Sequence, residues 1–142
     1  MPEMTESEYR KFMTEGTKTG KLATVNEDGS PHVTPIWYCM DGDDFVFTTG
    51  GNTLKALNMK RDRRVSMSVE DQAPPYSFVR IDGTASISSD PEEMLKWATR
   101  IGGRYMGAEN AEAFGKRNSS EGEVLVRLRP SKIIAYSDVT AW

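Results

Sequence analysis

The chain has little of what most catalytic or metal-binding proteins rely on. One cysteine, Cys39, and one histidine, His32, stand among 142 residues. A lone cysteine forms no internal disulfide, and one Cys with one His does not furnish the Cys/His set of a structural zinc site, so no metal is expected. Hydrolysis of the Ser-His-Asp type would have to use His32 as its base. No apolar run approaches the roughly 18 residues of a membrane-spanning helix. The opening MPEMTESEYRKF is acidic and polar and lacks the apolar centre of a signal peptide, so a cytoplasmic location is expected. A cationic surplus is missing too. Eighteen Lys and Arg against 21 Asp and Glu give a net charge of −3, whereas a general nucleic-acid binder needs a basic excess to neutralise phosphates. There are no repeats, low-complexity tracts or linkers. With 37% apolar and 27% charged residues, one domain spanning 1–142 with a substantial core is expected.

What is present reads mostly as strands. Thr5-Glu-Ser-Glu8 is a capping box, and Tyr9, Phe12 and Met13 follow at helical spacing up to Gly16. KLATV from Lys21, an Asp-Gly turn in 27–30, HVTPIWYCM (32–40), a second turn at 41–43 and FVFTT predict a meander. Pro35 places its strand at an edge or a bulge, because proline cannot donate to a ladder. A helix is predicted over 52–60. RRVSMSVED then alternates, with Val65, Met67 and Val69 facing inward. After Pro74-Pro75 comes the long strand YSFVRIDGTASIS, whose central Gly83 suggests a bend. Asp90-Pro91-Glu92-Glu93 starts a helix with the stripe Met94, Leu95, Trp97, Ala98 and Ile101, which Gly102-Gly103 should end. A short helical piece near 109–117 precedes GEVLVRLRP and SKIIAYSD, read as two strands. The sum is about seven strands, and connections this short make the sheet antiparallel, a barrel or a strongly bent sheet.

The stretch that carries chemistry is TTGGNTLKALNMKRDRR, Thr48 to Arg64. Two hydroxyls and two glycines lead into a helix with Lys55 in its first turn, the ingredients of an anion cradle. It is neither a Walker motif nor a dinucleotide fingerprint. An ordinary strand–helix connection with a solvated lysine fits the same residues. In the basic run that follows, Arg61 is the member placed to turn inward, through its spacing from Leu54, Leu57 and Asn58. Trp37 and Tyr38 lie on opposite faces of one strand, so one of them should meet a planar ligand or a second subunit. Tyr76, on a proline-stiffened loop, has the setting of a contact residue. No acid/base pair stands out, and the catalytic residues are unknown. A phosphate cradle without nucleophile or metal set suits a protein whose cofactor brings the chemistry.

The order LATV-x-x-DG-x-PHVTP-x-W, then FTTGG-x-x-x-K-x-x-N-x-x-R-D-x-R-V, then PPY-x-FV-x-x-x-GTA resembles the flavin/deazaflavin oxidoreductase superfamily. This is the split β-barrel group that includes pyridoxamine-phosphate-oxidase-like proteins. The likeness covers about residues 18–136 and is greatest to actinobacterial enzymes that use the deazaflavin coenzyme F-420 (8-hydroxy-5-deazaflavin). It implies a mainly β fold with peripheral helices, an FMN-binding-like split barrel. It also implies a homodimer with cofactor at the subunit interface and hydride transfer to an electron-poor small molecule, while the charge and the lack of a long apolar run give the expectation of no nucleic-acid or membrane partner. By position, Thr48, Thr49, Gly50 and Lys55 resemble the phosphate-binding set, with Asn58 and Arg61 near it. Thr34, Pro35 and Ile36 resemble the segment along the tricyclic ring, and Tyr76, Ser77 and Phe78 the segment reaching in from the partner. Lys60, Arg63 and Arg64 would face the oligoglutamate tail that distinguishes coenzyme F-420 from FMN. The substrate-phosphate and C-terminal motifs of true pyridoxamine phosphate oxidases are missing, which argues against vitamin synthesis. FMN or haem binding, or carriage of a ligand without catalysis, are the alternatives.

Overall fold

The computed structural model describes residues 1–141. Its elements in chain order are α1 (Glu6–Thr14), β1 (Gly20–Val25), β2 (Pro31–Ile36), β3 (Cys39–Asp41), β4 (Asp44–Gly50), α2 (Leu54–Arg61), β5 (Arg64–Glu70), β6 (Phe78–Ser88), α3 (Pro91–Met106), α4 (Ala111–Arg117) and β7 (Glu123–Tyr136). The seven strands form one sheet in the order β2-β1-β5-β6-β7-β4-β3, every described pairing antiparallel. Its two edges, β2 and β3, are consecutive in sequence. The chain therefore crosses from one edge to the other through Trp37 and Tyr38 without a ladder between them. That is a split barrel, as expected, and Pro35 sits on an edge strand as its missing N–H requires.

The strand total agrees with expectation, but two boundaries differ in compensating ways. HVTPIWYCM is not one strand: it breaks at Trp37–Tyr38, where it changes edge. GEVLVRLRP and SKIIAYSD are not two strands but one of 14 residues. Pro130 fits inside it because the ladder with β6 shifts register between Asp82 and Gly83, opposite the proline. A Cβ on Gly83 would lie 2.3 Å from the Arg129 carbonyl oxygen, so the bend depends on glycine.

The helices hold their predicted starts. Thr5 and Glu8 exchange both capping-box bonds, and the Asp90 side chain accepts from the Glu92 amide. Gly102 and Gly103 do not end α3, which continues to Met106. A Cβ at Gly102 would meet the Phe114 Cβ at 2.6 Å, so the pair is small to admit α4. Gly107, at φ 93°, takes the terminating role. Leu95 falls off the buried stripe and is exposed.

Two apolar clusters separate across the sheet. The barrel interior holds Leu22, Tyr38, Phe45, Phe47, Met67, Ile81, Val126 and Leu128, closed at one side by Tyr9 and Met13 of α1. On the outer face, Met94, Trp97 and Ile101 of α3 cover Val46 and Leu125. Tyr38 points into the first cluster. Trp37, contrary to expectation, packs within its own chain: its ring stacks on Tyr105, centroids 5.2 Å apart and planes 4° from parallel, with Phe114 beside it. Helix α3 supplied the surface that the sequence seemed to leave to a ligand or a second subunit. Arg104 fixes this junction. Its Nε donates to Gly16 O (3.1 Å), Nη1 to Tyr38 O (2.7 Å) and Nη2 to Met13 O (3.0 Å). The same guanidinium lies over the rings of Tyr38 and Tyr105. No described helix is long and apolar enough to cross a membrane.

Candidate functional site

Strand β4 delivers Thr48, Thr49 and Gly50 to the start of α2. Thr53, which sequence reasoning passed over, is the N-cap. Its hydroxyl lies 2.8 Å from Gly50 O, 3.3 Å from the Thr49 hydroxyl and 3.4 Å from the Ala56 amide, for which it is the acceptor. The missed signal was the T-x-x-A at 53–56, an N-cap hydroxyl at capping distance from the third helical amide. With the Ala56 amide capped, the amides of Leu54 and Lys55 have no partner among the described residues, at the positive end of the helix dipole. The Thr48 hydroxyl is likewise unpaired among the described residues. Lys55 is half-buried and its charge reaches Glu123, which pairs with Gly50 across the ladder. Burial raises the Glu123 carboxyl above its ordinary range, and Lys55 and Arg117 oppose that shift.

Gly51 seals the back of this turn. Its amide donates to Gly122 O (2.7 Å), and a Cβ there would come within 3.0 Å of the same oxygen. Lys60 donates to Gly51 O at 2.9 Å, so its ammonium braces the loop from behind. The basic run thus divides. Arg64 clasps Asp62 through Nε (3.1 Å) and Nη2 (2.7 Å), and these hydrogen bonds hold the Asp62 carboxyl down to about 2. Arg63 has no ion pair among the described residues. Arg61 folds back against the fold, donating to Val25 O and the Asn58 side-chain oxygen.

Asn58 is 1% exposed, and its amide nitrogen donates to the Thr24 hydroxyl (3.1 Å) and the Asn26 side-chain oxygen (2.9 Å). Its polar atoms are occupied by the tie that seats α2 on β1. Because Thr24 faces α2, the β2 residues that share its face do so too: His32 opposite Thr24, Thr34 opposite Leu22, Ile36 opposite Gly20. Pro35 points the other way and is exposed. Thr34 and Ile36 therefore share with Asn58 the sheet face on which α2 sits.

Tyr76, Ser77 and Phe78 lie elsewhere in the chain. Phe78 pairs with Glu70, whereas α2 joins β5 at its other end, about 20 Å away along a seven-residue strand. Ser77 is tied to Ser137 O (2.6 Å), and Pro75 O accepts from the Val139 amide (3.0 Å). Tyr76 is 47% exposed and adopts φ 59°, a left-handed conformation that a non-glycine residue rarely takes without outside constraint. A cavity of about 690 Å³ lies between α1 and β7 and includes none of the predicted site residues.

The chain is an open antiparallel split barrel with unpartnered amides and a lysine at the junction of β4 and α2. The chain belongs to the pyridoxamine 5'-phosphate oxidase family, whose model matches residues 5–136. Among solved structures, a conserved hypothetical protein of Mycobacterium tuberculosis is 29% identical with a TM-score of 0.82, the match covering 94% of this chain and 84% of that one. An F420 reductase is 27% identical with a TM-score of 0.66, covering 94% of this chain and 98% of that one. The haem storage protein of Vibrio cholerae, 22% identical, has a TM-score of 0.72 over 92% of this chain and 94% of its own, a likeness of fold. No curated protein matches the chain.

Proposed function

We propose that the chain is a deazaflavin-dependent reductase, a homodimer that binds coenzyme F-420 and passes a hydride from its reduced form to an electron-poor organic acceptor such as an activated enone. The observation that carries the reading is the start of α2, where the amides of Leu54 and Lys55 have no partner among the described residues and Lys55 adds a positive charge in the first turn, the setting that favours a phosphate. The likeness to an F420 reductase over nearly both full chains supports the choice of cofactor.

In this reading Thr48, Thr49, Gly50 and Lys55 hold the phosphate, and Gly51 and Lys60 brace them. Asn58 and Arg61 keep α2 on β1, so that the edge strand at Thr34, Pro35 and Ile36 lies beside the cradle. Tyr76, Ser77 and Phe78 are too far along their own sheet to serve the cradle of the same chain. A second copy brings them to it, which makes the site incomplete in one subunit. The bound deazaflavin supplies the hydride chemistry, and the protein supplies placement, charge and exclusion of water. Arg63, without an ion pair, is the free member of the basic run for the oligoglutamate tail; Lys60 and Arg64 are engaged within the chain.

Titration of the purified protein with coenzyme F-420, followed by its fluorescence, tests the reading. Saturable binding at micromolar cofactor is expected, with turnover of an enone panel once the cofactor is reduced. A yellow protein releasing flavin on heating would replace it with FMN, and an iron-porphyrin band with haem. Binding without turnover on any acceptor would leave a carrier.

A further inference from the structure

Three arginines gather on the outer face of the sheet, away from the cradle. Leu125, Arg127 and Arg129 alternate on that face of β7, and α3 covers the first of them. Ser86 of β6 lies opposite Arg127, and Thr84 lies opposite Arg129. On the other flank of β6 the Ala85 amide donates to Arg63 O (2.8 Å), which sets Arg63 beside the same two hydroxyls. Neighbouring strands are about 4.8 Å apart, so side chains from both flanks are within reach of one small group resting on β6. A single cavity of about 150 Å³ is lined by Arg63, Thr84, Ala85, Ser86, Arg127 and Arg129.

The charge around this cavity is only partly answered. Arg127 donates through Nη1 to Asp44 (3.2 Å) and through Nη2 to Asp41 (2.8 Å), and both carboxylates stand on the β4 side, away from β6. Arg129 Nε is 3.8 Å from Asp44, beyond hydrogen-bond distance. Arg63 has neither an ion pair nor a side-chain hydrogen bond among the described residues. No carboxylate lines the cavity. Three cations thus share two carboxylates, and the surplus faces β6. Like charges around one space repel each other, and an anion between them reverses the sign of that interaction. The side chains that line the space offer guanidinium N–H and hydroxyl donors, which match a ligand made of acceptors. Its volume suits one phosphate group and is too small for a nucleoside.

We propose that this cavity binds a single phosphate-type oxyanion, at a site separate from the cradle. Arg63 and Arg129 donate to its oxygens from opposite flanks, and the Thr84 and Ser86 hydroxyls donate from the strand between them. Arg127 adds charge while it stays paired with Asp41 and Asp44. Donors on both flanks and beneath suit a tetrahedral group better than a planar carboxylate. The site stands whether or not the cradle takes a deazaflavin; a glutamate tail held by Arg63 would compete with the anion.

Inorganic phosphate and glycerol 3-phosphate, the free anion and a monoester head, are titrated into the full chain beside acetate, with chloride holding the ionic strength constant. The readout is the NMR signals of the arginine Nε–H groups and of the Ser86 amide. Saturable shifts at Arg63, Arg129 and Ser86 are expected with a Kd in the millimolar range, about fivefold tighter for phosphate than for acetate, and the tighter of the two phosphates identifies the source. Arg63→Gln and Arg129→Gln should each weaken phosphate about fivefold, the effect of one exposed charge-assisted contact. Arg80→Gln, on the same strand but outside the cavity, should leave the affinity unchanged, as should Lys55→Ala in the cradle. The proposal is overturned by shifts that do not saturate, by acetate binding as tightly as phosphate, or by undiminished affinity in both Arg63→Gln and Arg129→Gln. It is overturned equally by a loss in Arg80→Gln as large as theirs, which would reduce the site to general surface charge, or by loss of the shifts in Lys55→Ala, which would assign the anion to the cradle.

Discussion

The surroundings of Arg104 and the start of α2 are both polar junctions between a helix and the sheet, and they are built in opposite ways. At Arg104 three carbonyls, two from the end of α1 and one from the crossover, and two aromatic rings occupy the guanidinium, and Tyr105 adds a bond to Lys18 O at 2.7 Å. At α2 two amides, the Thr48 hydroxyl and the Lys55 ammonium are without hydrogen-bond partners among the described residues. A saturated junction stabilises and holds the crossover between the sheet edges. An unsaturated one retains capacity for a ligand. Charge alone does not tell them apart, since each centres on a cation; the difference is whether the chain itself supplies the partners.

That contrast is broken most severely by Arg104→Met, which removes the guanidinium donor from three carbonyls and leaves Met13 O with the Tyr38 hydroxyl alone. A loss of about 3 kcal/mol in unfolding free energy is expected by denaturant titration, since bonds from a charged group contribute about 1.5–3 kcal/mol each and are not additive. Lys55→Ala should do the reverse. Stability should change by less than about 0.5 kcal/mol, while affinity for coenzyme F-420 falls about tenfold, ~1.4 kcal/mol. A large stability loss at Lys55 would place it with the saturated junction and sink the cradle assignment. Thr53→Ala should lower both quantities, stability by about 1 kcal/mol through the lost cap and affinity because the turn loosens.

The smallest effects belong to the basic run. Arg64→Gln should return the Asp62 carboxyl from about 2 toward the usual carboxylate range in an NMR titration. Because that pKa is depressed in the folded chain, any stability tied to it is present above the unfolded carboxylate value and disappears as pH falls through about 2. Asp62 is partly exposed and its partner Arg64 largely so, and a pair open to solvent contributes little, so the change in Tm should be slight. Arg63→Gln should leave stability alone and reduce only the preference for a long glutamate tail over a short one. If tail length never affects binding, the tail assignment fails with the cradle intact.

Much of this was legible in the chain itself. Capping boxes, Asp-Gly turns, the alternation of Val65, Met67 and Val69, and proline at an edge are local rules whose outcome depends on neighbours in sequence. They defined an antiparallel, mainly β chain and pointed to the stretch from Thr48 to Lys55 as the one proposed here to hold an anion. Pairing decisions between distant residues were beyond local rules. Trp37 found Tyr105, 68 positions further on, because α3 covers the outer face. Gly102 turned out to be space for Phe114 instead of a helix stop, and Pro130 stayed within a strand because β6 shifts register opposite it. Asn58 and Arg61, both read beside the phosphate, proved to tie α2 to Thr24, Asn26 and Val25. The sequence thus determined which groups could bind an anion, through residue type and turn chemistry. Only the tertiary structure decided which of them remain free to do so, because a polar group is available only when no distant part of the chain already satisfies it.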